Sequence, residues 1–163
     1  MKTFPTANIR NVALVGHGGA GKTSLAEALL FAAGATTRLG RIEDGTTVAD
    51  FDPEEQRRRI SVSLALAPFE LDGHKVNILD APGYADFIGD VGAALRAADL
   101  ALFVVSAVEG VEVQTEVAWR MADELRLPRI VKSWCMRSSV LARVWVSTSS
   151  CFTVPCSTLN KLT

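Results

Sequence analysis

Short apolar runs alternate along this chain with polar, glycine-bearing stretches, and the period of the apolar positions switches between that of strands and that of helices. Val12 to Val15, Lys75 to Leu79 and Leu100 to Ser106 are short, mostly apolar runs that predict strands. Ser61 to Leu71 alternates in part and predicts another, and a further strand starts at Arg129-Ile130-Val131. Lys22 to Gly34 predicts a helix, rich in Ala, Leu and Glu, with Gly34 placed to stop it. Asp86 to Ala98 predicts the second helix. Glu112 to Leu125 predicts the third, with Val113, Val117, Met121 and Leu125 at helical spacing and Pro128 beyond the end. Asp72-Gly73 reads as a hairpin turn with His74 at its tip. Strands alternating with helices predict an α/β fold with a mostly parallel, doubly wound sheet and a ligand at the carboxyl ends of the strands.

The pattern breaks between Gly34 and Ile60 into a long polar region containing Glu43-Asp44-Gly45-Thr46-Thr47 and Glu54-Glu55-Gln56-Arg57-Arg58-Arg59. Loops of this length in compact domains are functional or disordered. Most side chains of Glu54 to Arg59 read as a solvated, self-paired charge run.

Composition narrows the classes. At 163 residues the chain is long enough for one domain with a proper core, and a net charge of −1 points away from direct DNA or RNA binding. No stretch has the apolar length of a spanning helix, and Met-Lys-Thr-Phe-Pro-Thr lacks the core of a secretory signal, so a cytoplasmic protein without membrane contact is expected. Cys135, Cys151 and Cys156 show no C-x-x-C spacing and no nearby histidine pair, which speaks against zinc and fits reduced thiols.

The chemistry concentrates at Gly16-His17-Gly18-Gly19-Ala20-Gly21-Lys22-Thr23, between an apolar strand and a predicted helix. Glycines there let backbone N–H groups turn inward around phosphate oxygens. Lys22 is placed to neutralise the β- and γ-phosphates, and the hydroxyl of Thr23 or Ser24 to reach Mg²⁺. The helix adds its positive N-terminal end. A Gly-rich strand-to-helix turn with an incidental lysine is the competing reading; the flanking strand and helix argue against it. His17 reads as a packing or hydrogen-bonding residue. The second feature is Asp80-Ala81-Pro82-Gly83 after the strand Val76 to Leu79. An aspartate at that end of a strand can hold Mg²⁺ through its water shell, and Gly83 can present a backbone N–H to a γ-phosphate. By itself it equally fits a Pro-Gly turn capped by Asp.

The phosphate loop, the segment Asp50 to Ser63 and the run Asp80 to Phe87 together resemble the GTP-binding domain of translational GTPases, and look most like the elongation factor G-like paralogues. The resemblance covers about residues 8 to 131. It implies a P-loop NTPase fold binding GTP or GDP with Mg²⁺. Gly16 to Ser24, Asp80 and Gly83 would hold nucleotide, and Thr23, Ser61 and Asp80 the metal, with Ser61 standing where the family usually has threonine. Lys22, Gly83 and Tyr84 would be the catalytic set. It also implies a ribosomal partner, engaged mainly through domains beyond this chain.

Several positions depart from the family pattern. Tyr84 stands at the place of the usual histidine, and a phenol is not an imidazole's equivalent as a proton carrier near neutral pH, although it can orient water by a hydrogen bond. Gly19 replaces the usual phosphate-loop aspartate. Gly18 stands where a bulkier apolar residue would pair with Ile60 to shield the attacking water. These departures imply slow or differently triggered hydrolysis with binding retained. Three readings follow: a GTPase, another phosphate-loop ATPase or kinase, and a nucleotide-dependent binding module with little hydrolysis.

The strand from Arg129 should continue into Asn-Lys-x-Asp, which selects guanine, but runs into Lys132-Ser133-Trp134-Cys135. Residues 132–163 hold no Asp, Glu or Gly, all three cysteines and two of the three tryptophans, and Asn160-Lys161-Leu162-Thr163 has threonine where the carboxylate belongs. Residues 1–131 are therefore expected to be the N-terminal part of a translational-type GTP-binding domain, and 132–163 an atypical tail from a shifted frame or truncation. Sequencing the coding DNA through codon 131 tests this. A frame that restores Asn-Lys-x-Asp is the expected result, and its absence from all three frames makes the tail genuine.

Overall fold

Strand β1 (Ile9–Val15) runs through the middle of a seven-stranded sheet, and its alternating side chains divide the core between two faces. A computed structural model describes residues 2–49, 52–58, 60–134, 144–147 and 151–152. Asp50, Phe51 and Arg59 of the polar segment, Cys135, Cys156 and the closing 160–163 lie outside the described residues.

The remaining elements are α1 (Lys22–Ala32), α2 (Pro53–Arg58), β2 (Ala65–Leu71), β3 (His74–Asp80), α3 (Ile88–Ala97), β4 (Leu100–Ser106), α4 (Val113–Glu124), β5 (Arg129–Trp134), β6 (Val144–Ser147) and β7 (Cys151–Phe152). The sheet order is β2-β3-β1-β4-β5-β6-β7. β1 pairs in parallel with β3, from Ile9 opposite Lys75 to Leu14 opposite Asp80, and with β4, from Val12 opposite Leu100 to Val15 opposite Phe103. β4 and β5 are also parallel, whereas β2, β6 and β7 add antiparallel strands. This is the expected mostly parallel α/β sheet wound on both faces.

Period-two geometry sends Ala13 and Val15 to one face, where they pack with Val91, Ala94 and Leu95 of α3, Ala118 and Ala122 of α4, and Phe103. Leu14 points to the other, against Leu25, Ala26 and Leu30 of α1 and Phe69, Ile78 and Val104 of the sheet. Pro68 lacks a backbone donor and sits in β2, an edge strand, where that loss is tolerated.

Element boundaries differ from the sequence expectation in instructive ways. Strand β2 begins at Ala65, not Ser61, because residues 61–64 belong to the segment that reaches the candidate site. Helix α3 begins at Ile88 after a single 3₁₀ turn, Ala85–Phe87. Helix α1 ends at Ala32, two residues short of Gly34. Asp72 (φ 47°) and Gly73 (φ 77°) make the hairpin turn, with His74 the first residue of β3 beside the tip. In α4 the buried face is Thr115, Ala118 and Ala122, while Val113 and Leu125 are exposed. Small side chains let this helix lie close to the sheet and to α3, whose Gly92 leaves room for the Met121 methyl group. The polar segment, expected to lack structure of its own, contains α2. Asp52 caps it by accepting from the Glu54 N–H at 2.7 Å. Beyond Val131, where no element was expected, β5 continues to Trp134 and β6 pairs with it.

Phe103 is fully buried, with its ring centroid 4.9 Å from that of Trp119, which carries the Arg129 guanidinium over its face at 4.5 Å. Phe103→Ala is expected to destabilise the chain by about 3–5 kcal/mol through lost burial and the cavity left behind, read as a lower denaturation midpoint in urea.

Candidate functional site

The loop between β1 and α1 is held by close backbone contacts. A side chain at Gly16 would place its Cβ 2.2 Å from the Val104 carbonyl oxygen of β4, so only glycine lets the loop leave the sheet there. Gly21 caps α1 with φ 91°, and Lys22 opens the helix, buried, its ammonium donating to the carbonyls of His17 at 2.8 Å and Gly16 at 3.1 Å. His17 is buried. Its Nε2 lies 3.1 Å from Glu109 Oε2, tying the loop to the connection between β4 and α4. This is the hydrogen-bonding role expected from sequence.

The parallel register brings Asp80, the last residue of β3, beside this loop, and the Ala81 N–H donates to the Leu14 carbonyl at 3.2 Å. The Thr23 hydroxyl donates to Asp80 Oδ2 at 2.7 Å, and Ser61 Oγ lies 3.1 Å from Thr23 Oγ1. Two hydroxyls and a carboxylate from three separate parts of the sequence therefore converge. Hard oxygen donors of this kind suit Mg²⁺, so the residues present fit that ion. Ser24, the alternative hydroxyl, takes no part in this convergence.

A cavity of about 230 Å³ lies next to these oxygens. The phosphate loop lines it with Gly18, Gly19, Gly21, Lys22 and Thr23; Gly83 and Tyr84 come from the turn after β3, and Ile42, Ile60 and Ser61 from the polar segment. Gly16, His17, Ala20 and Asp80 are not among the residues that line it.

Two buried glutamates hold the polar segment in place, and sequence reasoning gave neither a role. Glu55, 2% exposed, accepts through Oε1 from the N–H groups of Val62 (2.9 Å) and Ser63 (3.0 Å) and from the Ser63 hydroxyl (3.0 Å), and through Oε2 from the Asp52 N–H (3.3 Å). These bonds bracket Ser61. Glu27 of α1 accepts from the N–H groups of Val48 (2.6 Å) and Ala49 (3.3 Å), and Gly40 closes over its other oxygen. Glu54, by contrast, pairs with Arg57 and Arg58 at the surface as a solvated charge run does. Nothing in the run separates Glu55 from Glu54 until the fold buries one of them. Ile42 carries no sequence signal either.

A central parallel sheet with a glycine-rich loop leading into α1 and an aspartate ending the neighbouring strand defines a P-loop GTPase-type domain, and the sequence comparisons agree with that class. Residues 7–132 match the family model described as the elongation factor Tu GTP binding domain, and the chain belongs to that family. It is 53% identical over 131 residues to the elongation factor G-like protein of Mycobacterium tuberculosis, covering 78% of this chain and 18% of that protein. It is 43% identical over 130 residues to elongation factor G 2 of Streptomyces coelicolor, covering 80% and 19%, and 42% identical over 126 residues to mitochondrial ribosome-releasing factor 2 of Bos taurus, covering 77% and 16%. The chain thus spans less than a fifth of the length of these relatives. A crystal structure of a Thermus thermophilus protein superposes with a TM-score of 0.75 at 36% identity, covering 96% of this chain and 30% of that one. The elongation factor SelB of Methanococcus maripaludis, solved with the GTP analogue GppNHp, gives 0.55 at 26% identity, covering 80% and 22%.

Removing the Glu55 carboxylate leaves several N–H groups without their acceptor, a loss of roughly 1–3 kcal/mol in the anchoring of this segment. Glu55→Ala is expected to speed tryptic cleavage after Arg57 and Arg58 about tenfold, a factor equivalent to about 1.4 kcal/mol, with Glu55→Gln intermediate. Mass spectrometry of the timed digest reads this out, and an unchanged rate means that Glu55 is not the anchor.

Proposed function

We propose that this chain binds a guanine nucleoside triphosphate with Mg²⁺ in the cavity beside the phosphate loop and transfers its γ-phosphoryl group to water. The observation that carries this reading is the convergence of Thr23, Ser61 and Asp80 next to Lys22. Lys22 and backbone N–H groups of the phosphate loop would neutralise and grip the phosphates, and the N-terminus of α1 would add its partial positive charge. The hydroxyls of Thr23 and Ser61 and the carboxylate of Asp80 are the groups that would hold Mg²⁺. That ion, when bound, offsets charge on the β- and γ-phosphates. Gly83 would donate its N–H toward the γ-phosphate, and Tyr84 would border the attacking water. Because Ser61 comes from the polar segment, its engagement would report whether a γ-phosphate is present.

The guanine assignment rests on the family, and the SelB structure with a GTP analogue supports it. Relatives named as an elongation factor G-like protein and a mitochondrial ribosome-releasing factor support a role as the nucleotide-responsive part of a translation factor acting at the ribosome, and the first of them, from a bacterium, is the one that fits a cytoplasmic protein. A second reading, nucleotide binding with little hydrolysis, is favoured by Gly19, where an added Cβ would meet nothing within 4 Å, and by Tyr84.

The test is equilibrium binding and single-turnover hydrolysis of GTP, GDP and ATP by the 163-residue chain, with and without Mg²⁺. Mg²⁺-dependent preference for GTP and release of phosphate are expected. Lys22→Ala should weaken GTP binding at least about tenfold, and Ser61→Ala should weaken GTP more than GDP. Equal affinity for ATP and GTP would remove the guanine assignment. Tight binding without phosphate release would leave the binding-module reading.

A further inference from the structure

Gly18 and Tyr84 fit one another in a way that neither residue explains alone. A Cβ built on Gly18 would lie 2.8 Å from Tyr84 Cζ, 2.9 Å from Cε2 and 3.1 Å from Cε1, closer than a carbon of an L side chain sits to its neighbours. Gly18 has no left-handed φ, unlike Gly16, Gly19 and Gly21, so its backbone would accept a side chain. The atoms nearest to that position all belong to the ring. One residue before Tyr84, Gly83 presses onto the same stretch of loop. A Cβ there would lie 2.5 Å from the Gly18 nitrogen and from the His17 carbonyl carbon. The turn after β3 is thus seated twice on the phosphate loop, by backbone at Gly83 and by an aromatic face at Gly18.

The ring is also placed to matter for the cavity. Tyr84 is 42% exposed, with its ring laid on the loop at Gly18, and it lines the cavity with Ile60 and Gly83. An aromatic ring covers more area at that rim than any aliphatic side chain on Gly18 would, and it excludes water from the charges behind it.

Resting on the nucleotide-binding reading above, we propose that Tyr84 acts as a wall of the triphosphate cavity through the face of its ring, and that Gly18 is the positioning residue that admits the ring. The phenolic hydroxyl is not what the wall requires. A side chain at Gly18 displaces the ring and opens the rim. The two residues therefore work as one unit whose effects do not multiply.

Two arms test this in the 163-residue chain. The first needs no nucleotide. Tyr84 is the only tyrosine in the sequence, so nitration by tetranitromethane, read by mass spectrometry on its peptide, reports on the ring alone. Gly18→Val should raise the nitration rate severalfold, with Gly18→Ala as the milder variant should the larger one fail to give a cooperative melt. An unchanged rate in a folded variant overturns the seating.

The second arm follows release of a fluorescent, non-hydrolysable GTP analogue by stopped flow. Tyr84→Ala and Gly18→Val should each speed release about tenfold, Tyr84→Phe should rescue most of what Tyr84→Ala loses, and Gly18→Val/Tyr84→Ala should be no faster than Tyr84→Ala. Multiplying effects, or a Tyr84→Phe variant as fast as Tyr84→Ala, overturn the wall. Failure of the parent to bind any nucleotide saturably overturns the nucleotide reading and the wall with it, while the nitration arm still decides whether the ring is seated on Gly18.

Discussion

The parallel pairing of β1 with both β3 and β4 is the constraint on which the rest of this structure depends. Leu14 opposite Asp80 and Val15 opposite Phe103 bring the carboxyl ends of β1 and β3 together, with β4 running three residues further in the same direction beside them. Parallel strands require crossovers, and the crossovers here are helices that cover both faces, leaving the loops after the strands to meet at one end. A shift of one residue would turn Ala13 and Leu14 to the wrong faces and would take Asp80 away from Thr23. The same pairing thus sets core composition and site geometry.

On that frame the site is assembled from pieces of unequal rigidity. The phosphate loop is pressed by its backbone onto β4 at Gly16 and onto the turn after β3 at Gly83, with no room for a Cβ at either position. The polar segment is held differently, through the carboxylates of Glu27 and Glu55, which collect backbone N–H groups from otherwise irregular chain. A buried carboxylate satisfied by several N–H donors is strong where it stands and costly to remove. Such an anchor fixes a loop without committing it to a strand or a long helix. Ser61 is delivered to Thr23 by this device, and its position follows from polar bonding more than from apolar burial.

The departures at Gly18 and Tyr84 gain a common physical cause from the fold. Taken separately, one reads as a missing side chain and the other as a changed functional group. In the structure the absent Cβ is the space the ring occupies. Gly19 is another matter: its left-handed φ of 81° and open surroundings are local properties of the loop, and nothing packs upon it.

Much of this was legible in the sequence because it depends on local rules. Strand and helix periodicity located β1, β3, β4, α1, α3 and α4 to within a few residues, and the glycine spacing with Lys22 and Thr23 marked the loop, since backbone geometry and phosphate chemistry both act over a few neighbouring residues. What the sequence left open depends on distant chain. Which face of α4 is buried was decided by the small residues Ala118 and Ala122 meeting the sheet; of the row suggested by the spacing, Met121 still packs against the core while Val113 and Leu125 at its ends are exposed. The separation of Glu55 from Glu54, the entry of Ile42 into the cavity and the seating of Tyr84 on Gly18 all join residues far apart in sequence or bury one of two like neighbours. The sequence by itself determined the alternation of elements and the chemistry at the strand ends. Only the tertiary structure decided which polar groups are buried and which side chains share a wall, because burial and close packing are properties of the assembled sheet and not of any stretch of chain within it.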